Sequence, residues 1–124
     1  SQSEFMIFNG QKAHEDATVL KAQNYIEKNY TEKINMEMVA EKYHVSRRTF
    51  DRRFIKATGI TPLDYLQHVK MEAAKRALEN SKKTVSEVMY QVGYSDAKAF
   101  RETFAKYTGI TPLSYKTKYN KRLD

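Results

Sequence analysis

Four arginines and a lysine fall within the ten residues Arg47-Arg48-Thr49-Phe50-Asp51-Arg52-Arg53-Phe54-Ile55-Lys56, and their spacing sorts them onto faces. On a helical wheel of about 100° per residue, Phe50, Phe54 and Ala57 share one side, while Arg48, Thr49, Arg52 and Lys56 lie opposite. One side packs and the other is cationic. A guanidinium is a planar fork of donors that matches O6 and N7 of guanine in a major groove, which makes Arg48 and Arg52 the base-reading candidates, with Asp51 at their flank. Arg47, Arg53 and Lys56 are candidates for phosphate contact. The plainer alternative is that these charges only solvate an amphipathic helix.

An internal repeat weighs against that alternative. Phe50-x3-Phe54-x3-Thr58-Gly59-Ile60-Thr61-Pro62-Leu63-x-Tyr65 recurs as Phe100-x3-Phe104-x3-Thr108-Gly109-Ile110-Thr111-Pro112-Leu113-x-Tyr115, 50 residues on. Upstream the offset is 49, with Asn35, Met36, Val39, Ala40 and Tyr43 answered by Thr84, Val85, Val88, Met89 and Val92. The second copy therefore carries one extra residue just before its basic helix. With Phe100 and Phe104 inward, Lys98, Ala99 and Glu102 face out, and Arg101 and Lys106 join the phosphate candidates. Glu102 suits cytosine N4, and Ala99 or Ala97 a thymine methyl. Equally open is a surface pairing of Glu102 with Lys98 or Lys106, worth about 0.3–0.5 kcal/mol.

The elements that must position these side chains follow from start and stop signals. Asp16 caps a helix to about Tyr30, with Val19, Ala22 and Ile26 in helical spacing. Asn35 starts a short helix, and Ser46 starts the arginine-rich one, which Gly59 ends in a Schellman-like close with Ile60 folding back. These are the two halves of a first helix-turn-helix, residues 35–58. Thr61-Pro62 opens a linker helix over 62–80 with an apolar stripe at Leu66, Val69, Ala73 and Ala77. Its basic Lys70 is a further phosphate candidate, as are backbone N–H groups at the Asn35 and Thr84 helix starts. The second helix-turn-helix spans 84–108, with a capping box at Thr84-Val85-Ser86-Glu87 and Gly93 where the first copy has His44. A final helix over 112–122, frayed at its end, completes a domain of residues 16–122 preceded by an arm or linker, residues 1–15, in which Phe5, Ile7 and Phe8 are anchor candidates. The expectation is an all-α fold of seven helices, with two helix-turn-helix units bridged by a shared linker helix. A rigid linker of roughly 18 residues, about 27 Å, suits two reading helices in successive major grooves and a target with two unlike elements about 10–10.5 bp apart.

Composition bounds the function. The chain has 124 residues, long enough for one domain or two small subdomains sharing a helix. Its 22 lysines and arginines against 15 acidic residues give a net charge of +7, which points to a polyanionic partner, nucleic acid or an anionic membrane surface. No apolar run approaches the roughly 20 residues of a membrane span and no signal-peptide pattern opens the sequence, so a soluble chain without a membrane role is expected. It contains no cysteine, which excludes disulfides, thiolate zinc sites and cysteine nucleophiles and allows an intracellular location. His14, His44 and His68 lack metal-ligand spacing, and no Gly-rich phosphate loop occurs. Neither an enzyme nor a cofactor is expected. A different class of reading is a basic helical interaction module that docks an acidic protein partner.

Val39-Ala40-x4-Val45-Ser46-x3-Phe50-x3-Phe54, the linker helix, and Val92-Gly93-Tyr94-Ser95-Asp96-x3-Phe100-x3-Phe104-x3-Thr108-Gly109-Ile110-Thr111-Pro112-x2-Tyr115 together resemble the C-terminal DNA-binding domain of AraC/XylS-type transcription regulators, over about residues 17 to 119. The resemblance implies sequence-specific binding of double-stranded DNA, most often in activation. It also implies a bacterial cytoplasmic location, RNA polymerase as a partner, and oligomerisation, if any, through a separate N-terminal domain absent from this sequence. Phe5 through Gln23 also looks similar to the linker of the subgroup with an upstream DJ-1/PfpI-like domain. Two departures from the family pattern are His44 at a turn where small residues are commoner, and the Ala97-Lys98-Ala99 start of the second reading helix.

Overall fold

The structure, a computed structural model, describes residues 12–122, so Phe5, Ile7 and Phe8 lie outside the described residues. Seven helices and no strand occur among the described residues: α1 (Ala17–Asn29), α2 (Met36–Lys42), α3 (Arg47–Thr58), α4 (Pro62–Asn80), α5 (Val85–Gln91), α6 (Ala97–Thr108) and α7 (Pro112–Tyr119). The chain divides into two units at His68 and Val69, within α4, which runs unbroken from one into the other.

In the first unit each helix start is fixed by the side chain that precedes it. Asp16 accepts from the Val19 N–H, Asn35 from those of Glu37 and Met38, Ser46 from that of Thr49, and Thr61 from that of Asp64. Val19, Ala22, Ile26, Val39, Ala40, Phe50, Phe54 and Tyr65 form the buried core. Phe54 stacks edge-on with Phe50 at 5.8 Å and with Tyr65 at 5.5 Å between ring centroids.

The second unit repeats this arrangement with Phe100, Phe104 and Tyr115, whose successive centroids lie 6.0 and 5.3 Å apart. Thr84 and Glu87 form the expected capping box, and Asp96 caps α6. The repeat reaches further than the aligned motifs. Val19, Ala22, Gln23 and Ile26 of α1 are matched, 52 residues on, by Met71, Ala74, Lys75 and Leu78 of α4, all buried. The second half of α4 therefore does for the second unit what α1 does for the first.

That double duty explains why α4 departs from a single stripe. Leu66, Val69 and Ala73 are buried as expected, but Ala77 is only half-buried, while Tyr65, Met71, Ala74 and Leu78 are buried on other faces. A helix that serves a core at each end buries different sides along its length.

Three local details differ from the sequence expectations. The close after α3 is a single αL turn rather than a Schellman motif: Gly59, at φ 87°, donates to Ile55 O at 2.7 Å, and the Ile60 N–H turns to Thr58 Oγ1. Thr58 Oγ1 in turn bonds Phe54 O, and Thr108, Gly109 and Ile110 repeat the pattern. The final helix ends at Tyr119, three residues earlier than expected, and its end is anchored rather than frayed. Asn120 Nδ2 donates to Leu78 O and Ser81 O, the Lys121 N–H to Glu79 O, and Arg122 Nε to Asn80 O. Residues 120–122 leave the helix because they satisfy the open carbonyls of the α4 C-terminus.

Candidate nucleic-acid interface

Helix α3 presents the cationic face that the wheel assigns to it. Phe50 and Phe54 are buried, while Arg48, Arg52 and Lys56 are exposed and make no ion pair with any described residue. Three donor-rich side chains are thus held out by a packed helix whose start and end are both capped. Asp51 and Arg47 pair with each other across one helical turn, with Arg47 Nε at 2.9 and 3.1 Å from the two carboxylate oxygens. This pairing orients Arg47 along the helix, and as an exposed i,i+4 pair it contributes only about 0.3–0.5 kcal/mol.

Helix α6 offers a second outward face of different chemistry. Lys98, Arg101, Glu102 and Lys106 are exposed, and Glu102 forms no ion pair with Lys98 or Lys106. Ala99 is half-buried and its N–H is taken by Asp96.

The two turns that aim these helices share one geometry. In the first, the His44 N–H bonds Glu41 O and the Val45 N–H bonds Ala40 O; in the second, Gly93 bonds Tyr90 O and Tyr94 bonds Met89 O. Both require a positive φ, 61° at His44 and 89° at Gly93. Glycine takes that conformation without strain, whereas a side chain with a Cβ pays about 1–2 kcal/mol for it. Between α5 and α6 lie five residues, 92–96, against four, 43–46, between α2 and α3, which is the extra residue of the second copy.

Several phosphate candidates are placed elsewhere. Lys70 is only 9% exposed, its Nζ donating to Val92 O at 2.8 Å and lying 5.7 Å from the Tyr94 ring centroid. Burial pushes its ammonium pKa down. It braces the second turn from inside and is withdrawn from any phosphate. Lys75, 4% exposed, bonds Glu72 and is not a solvated charge. Arg53 points to Asp16, with Nη2 to Oδ1 at 2.8 Å and Nε to Oδ2 at 3.0 Å. At the helix starts, Asn35 takes the Glu37 and Met38 N–H groups, and Thr84 takes that of Glu87. The Glu87 carboxylate, held below its ordinary pKa by the Thr84 N–H, sets a negative charge at the second of these starts, which disfavours a phosphate there.

Sequence reasoning missed the Asp16–Arg53 pair and the buried role of Lys70. A wheel assigns each side chain to a face of its own helix and carries no information about a neighbour 37 residues away.

Residues 39–118 match the helix-turn-helix domain family of the AraC type. Over 76 residues the chain is 32% identical to the HTH-type transcriptional activator RhaS of Escherichia coli O139:H28, covering 61% of this chain and 27% of that protein. Over 76 residues it is 38% identical to the bifunctional transcriptional activator/DNA repair enzyme AdaA of Bacillus subtilis, covering 61% of this chain and 36% of that one. The chain thus spans about a quarter to a third of the length of these curated relatives. Among solved structures, the DNA-binding domain of the global transcriptional factor AdpA, in complex with a target DNA, superposes with a TM-score of 0.77 at 33% identity, covering 82% of this chain and 91% of that one. With its repeated helix-turn-helix architecture and a family match across both copies, the chain belongs to the AraC-type helix-turn-helix family.

Proposed function

We propose that this chain is the DNA-binding part of a transcription regulator and reads duplex DNA with the outward faces of α3 and α6. The observation that carries this reading is the repeated pairing of a buried phenylalanine face with an exposed polar face on both helices, on which Arg48, Arg52 and Lys56 make no ion pair with any described residue. Arg48 and Arg52 supply guanine contacts, with Asp51 at their edge; Lys98, Ala99 and Glu102 supply the second face. Arg47, Lys56, Arg101 and Lys106 hold phosphates. The similarity to an AraC-type domain crystallised on DNA and to named transcriptional activators supports the same assignment.

Because the two faces differ, the target has two unlike elements and a direction. Chemically distinct side chains cannot prefer the same bases. No described helix is long and apolar enough to cross a membrane, and the relatives are bacterial regulators, which supports a cytoplasmic site of action. RNA polymerase and an upstream sensing or dimerising domain, of DJ-1/PfpI-like fold if the linker similarity holds, complete the proposed regulator. The chain itself carries no catalytic step in this reading. Selection from random duplex DNA, followed by a salt titration of the winning sequence, tests it. A directional two-part site bound with a steep salt dependence is expected. Recovery of no preferred sequence, with tight capture by acidic proteins instead, would favour the interaction-module reading.

A further inference from the structure

Five residues ahead of α1 are fastened down more firmly than a connecting arm needs to be. Lys12 Nζ reaches Glu27 at 2.7 Å and Asn24 at 3.3 Å. The Asp16 N–H donates to His14 Nδ1 at 3.1 Å, which leaves the ring proton on Nε2 to bond Gln23 Oε1 at 2.9 Å. Gln23 is fully buried, and Glu27 also accepts the Tyr65 hydroxyl at 2.6 Å. The chain then ends its run on Asp16, whose carboxylate does two jobs. It caps α1 through the Val19 N–H and grips both edges of the Arg53 guanidinium on α3.

This grip crosses 37 residues of sequence and ties the stretch before α1 to the helix that carries Arg48 and Arg52. A two-pronged guanidinium–carboxylate pair fixes orientation as well as distance. The side chains are 37% and 22% exposed, so the pair constrains geometry more than it adds stability. Among the described residues of the second unit no such arginine–carboxylate grip can form at this place, because Thr103 stands at the repeat position of Arg53.

We propose that Lys12–Asp16 is a strap that sets the pose of the first reading helix, with Arg53 a positioning residue acting through Asp16 rather than a phosphate ligand. The proposal rests on the reading of α3 as a DNA-reading helix.

The test uses the full chain, a duplex recovered by selection, and an unrelated duplex of equal length. The variants are Asp16→Asn, which keeps a capping oxygen but loses the charge, Arg53→Gln, Arg53→Lys, which keeps the charge but not the fork, and the Asp16→Asn/Arg53→Gln double variant. All are measured well below their melting temperatures. Each single variant is expected to lower the preference for the selected duplex by roughly three- to tenfold, with the double variant no worse than the poorer single one. Affinity for the unrelated duplex and the salt slope should stay at wild-type values. A phosphate role gives the opposite pattern: Arg53→Gln weakens both duplexes alike and flattens the salt slope by about one, while Arg53→Lys and Asp16→Asn bind normally. That pattern, or unchanged preference in every variant, overturns the proposal. A wild-type chain that prefers neither duplex overturns the DNA-reading assignment itself, and the strap with it.

Discussion

The Tyr65 hydroxyl donates to Glu27 Oε2 at 2.6 Å, and its repeat partner Tyr115 donates in the same way to Glu79. Glu27 lies on α1 and Glu79 on α4, so this matched bond marks the two helices as counterparts in their own units. In each unit the tyrosine ring packs on the second phenylalanine of α3 or α6, and its hydroxyl ties the helix that follows, α4 or α7, to α1 or α4.

Tyr65→Phe and Tyr115→Phe should therefore each destabilise the fold, by about 1.5–3 kcal/mol for a bond to a charged acceptor. Burial and the neighbouring carboxylate both push these phenols well above their ordinary pKa, so the bonds persist through alkaline pH. Urea denaturation at neutral pH checks this, and wild-type midpoints in both variants would remove the bonds from the account.

The helix count, the two helices that carry the paired phenylalanines and nearly every cap were legible in the sequence, because capping residues and phenylalanine spacing act within one helix. Ser46, Gly59, Thr61 and Thr84 signal their roles locally. The kinship of α1 with the second half of α4 was not legible. It places Val19 opposite Met71 and Gln23 opposite Lys75, substitutions that keep burial while changing chemistry. The fates of Arg53 and Lys70 were hidden for the same reason, since each is decided by a partner remote in sequence: Asp16 in one case and the Val92 carbonyl in the other.

His44 holds a positive φ that its repeat counterpart Gly93 holds without strain. His44→Gly should raise stability by about 0.5–1 kcal/mol, and Gly93→Ala should lower it by about 1–2 kcal/mol. Paired thermal melts decide the matter. A destabilised His44→Gly would mean that the imidazole makes a contact worth more than the strain.

Acid should reveal the Asp16–Arg53 pair. Burial alone would raise the Asp16 carboxyl, but bonds from Arg53 and the Val19 N–H hold it net below its ordinary pKa. A depressed carboxyl stabilises the fold fully above its unfolded pKa of about 3.9, and that stabilisation is lost as pH falls from there through the lower folded value. Arg53 and His14 are the charged or titratable groups in hydrogen-bond contact with residue 16, and the arginine stays charged throughout. The stability gap between wild type and Asp16→Asn should be constant from pH 7 to about 5 and close towards pH 2, by about 1 kcal/mol or less for so exposed a pair. A gap that ignores pH would assign the Asn effect to something other than charge.

The most direct trial of the reading faces is to repeat the duplex selection with Arg52→Ala beside the wild type. Arg52 is exposed and makes no ion pair with any described residue, while Phe50 and Phe54 stay buried, so the substitution removes a guanidinium without touching the core. Binding to the wild-type site should weaken by about 1–3 kcal/mol, and the recovered sequences should lose their preference at one base position, with the others intact. An equal loss on every sequence, with all preferences retained, would contradict base reading by Arg52 and reduce α3 to a phosphate-binding surface.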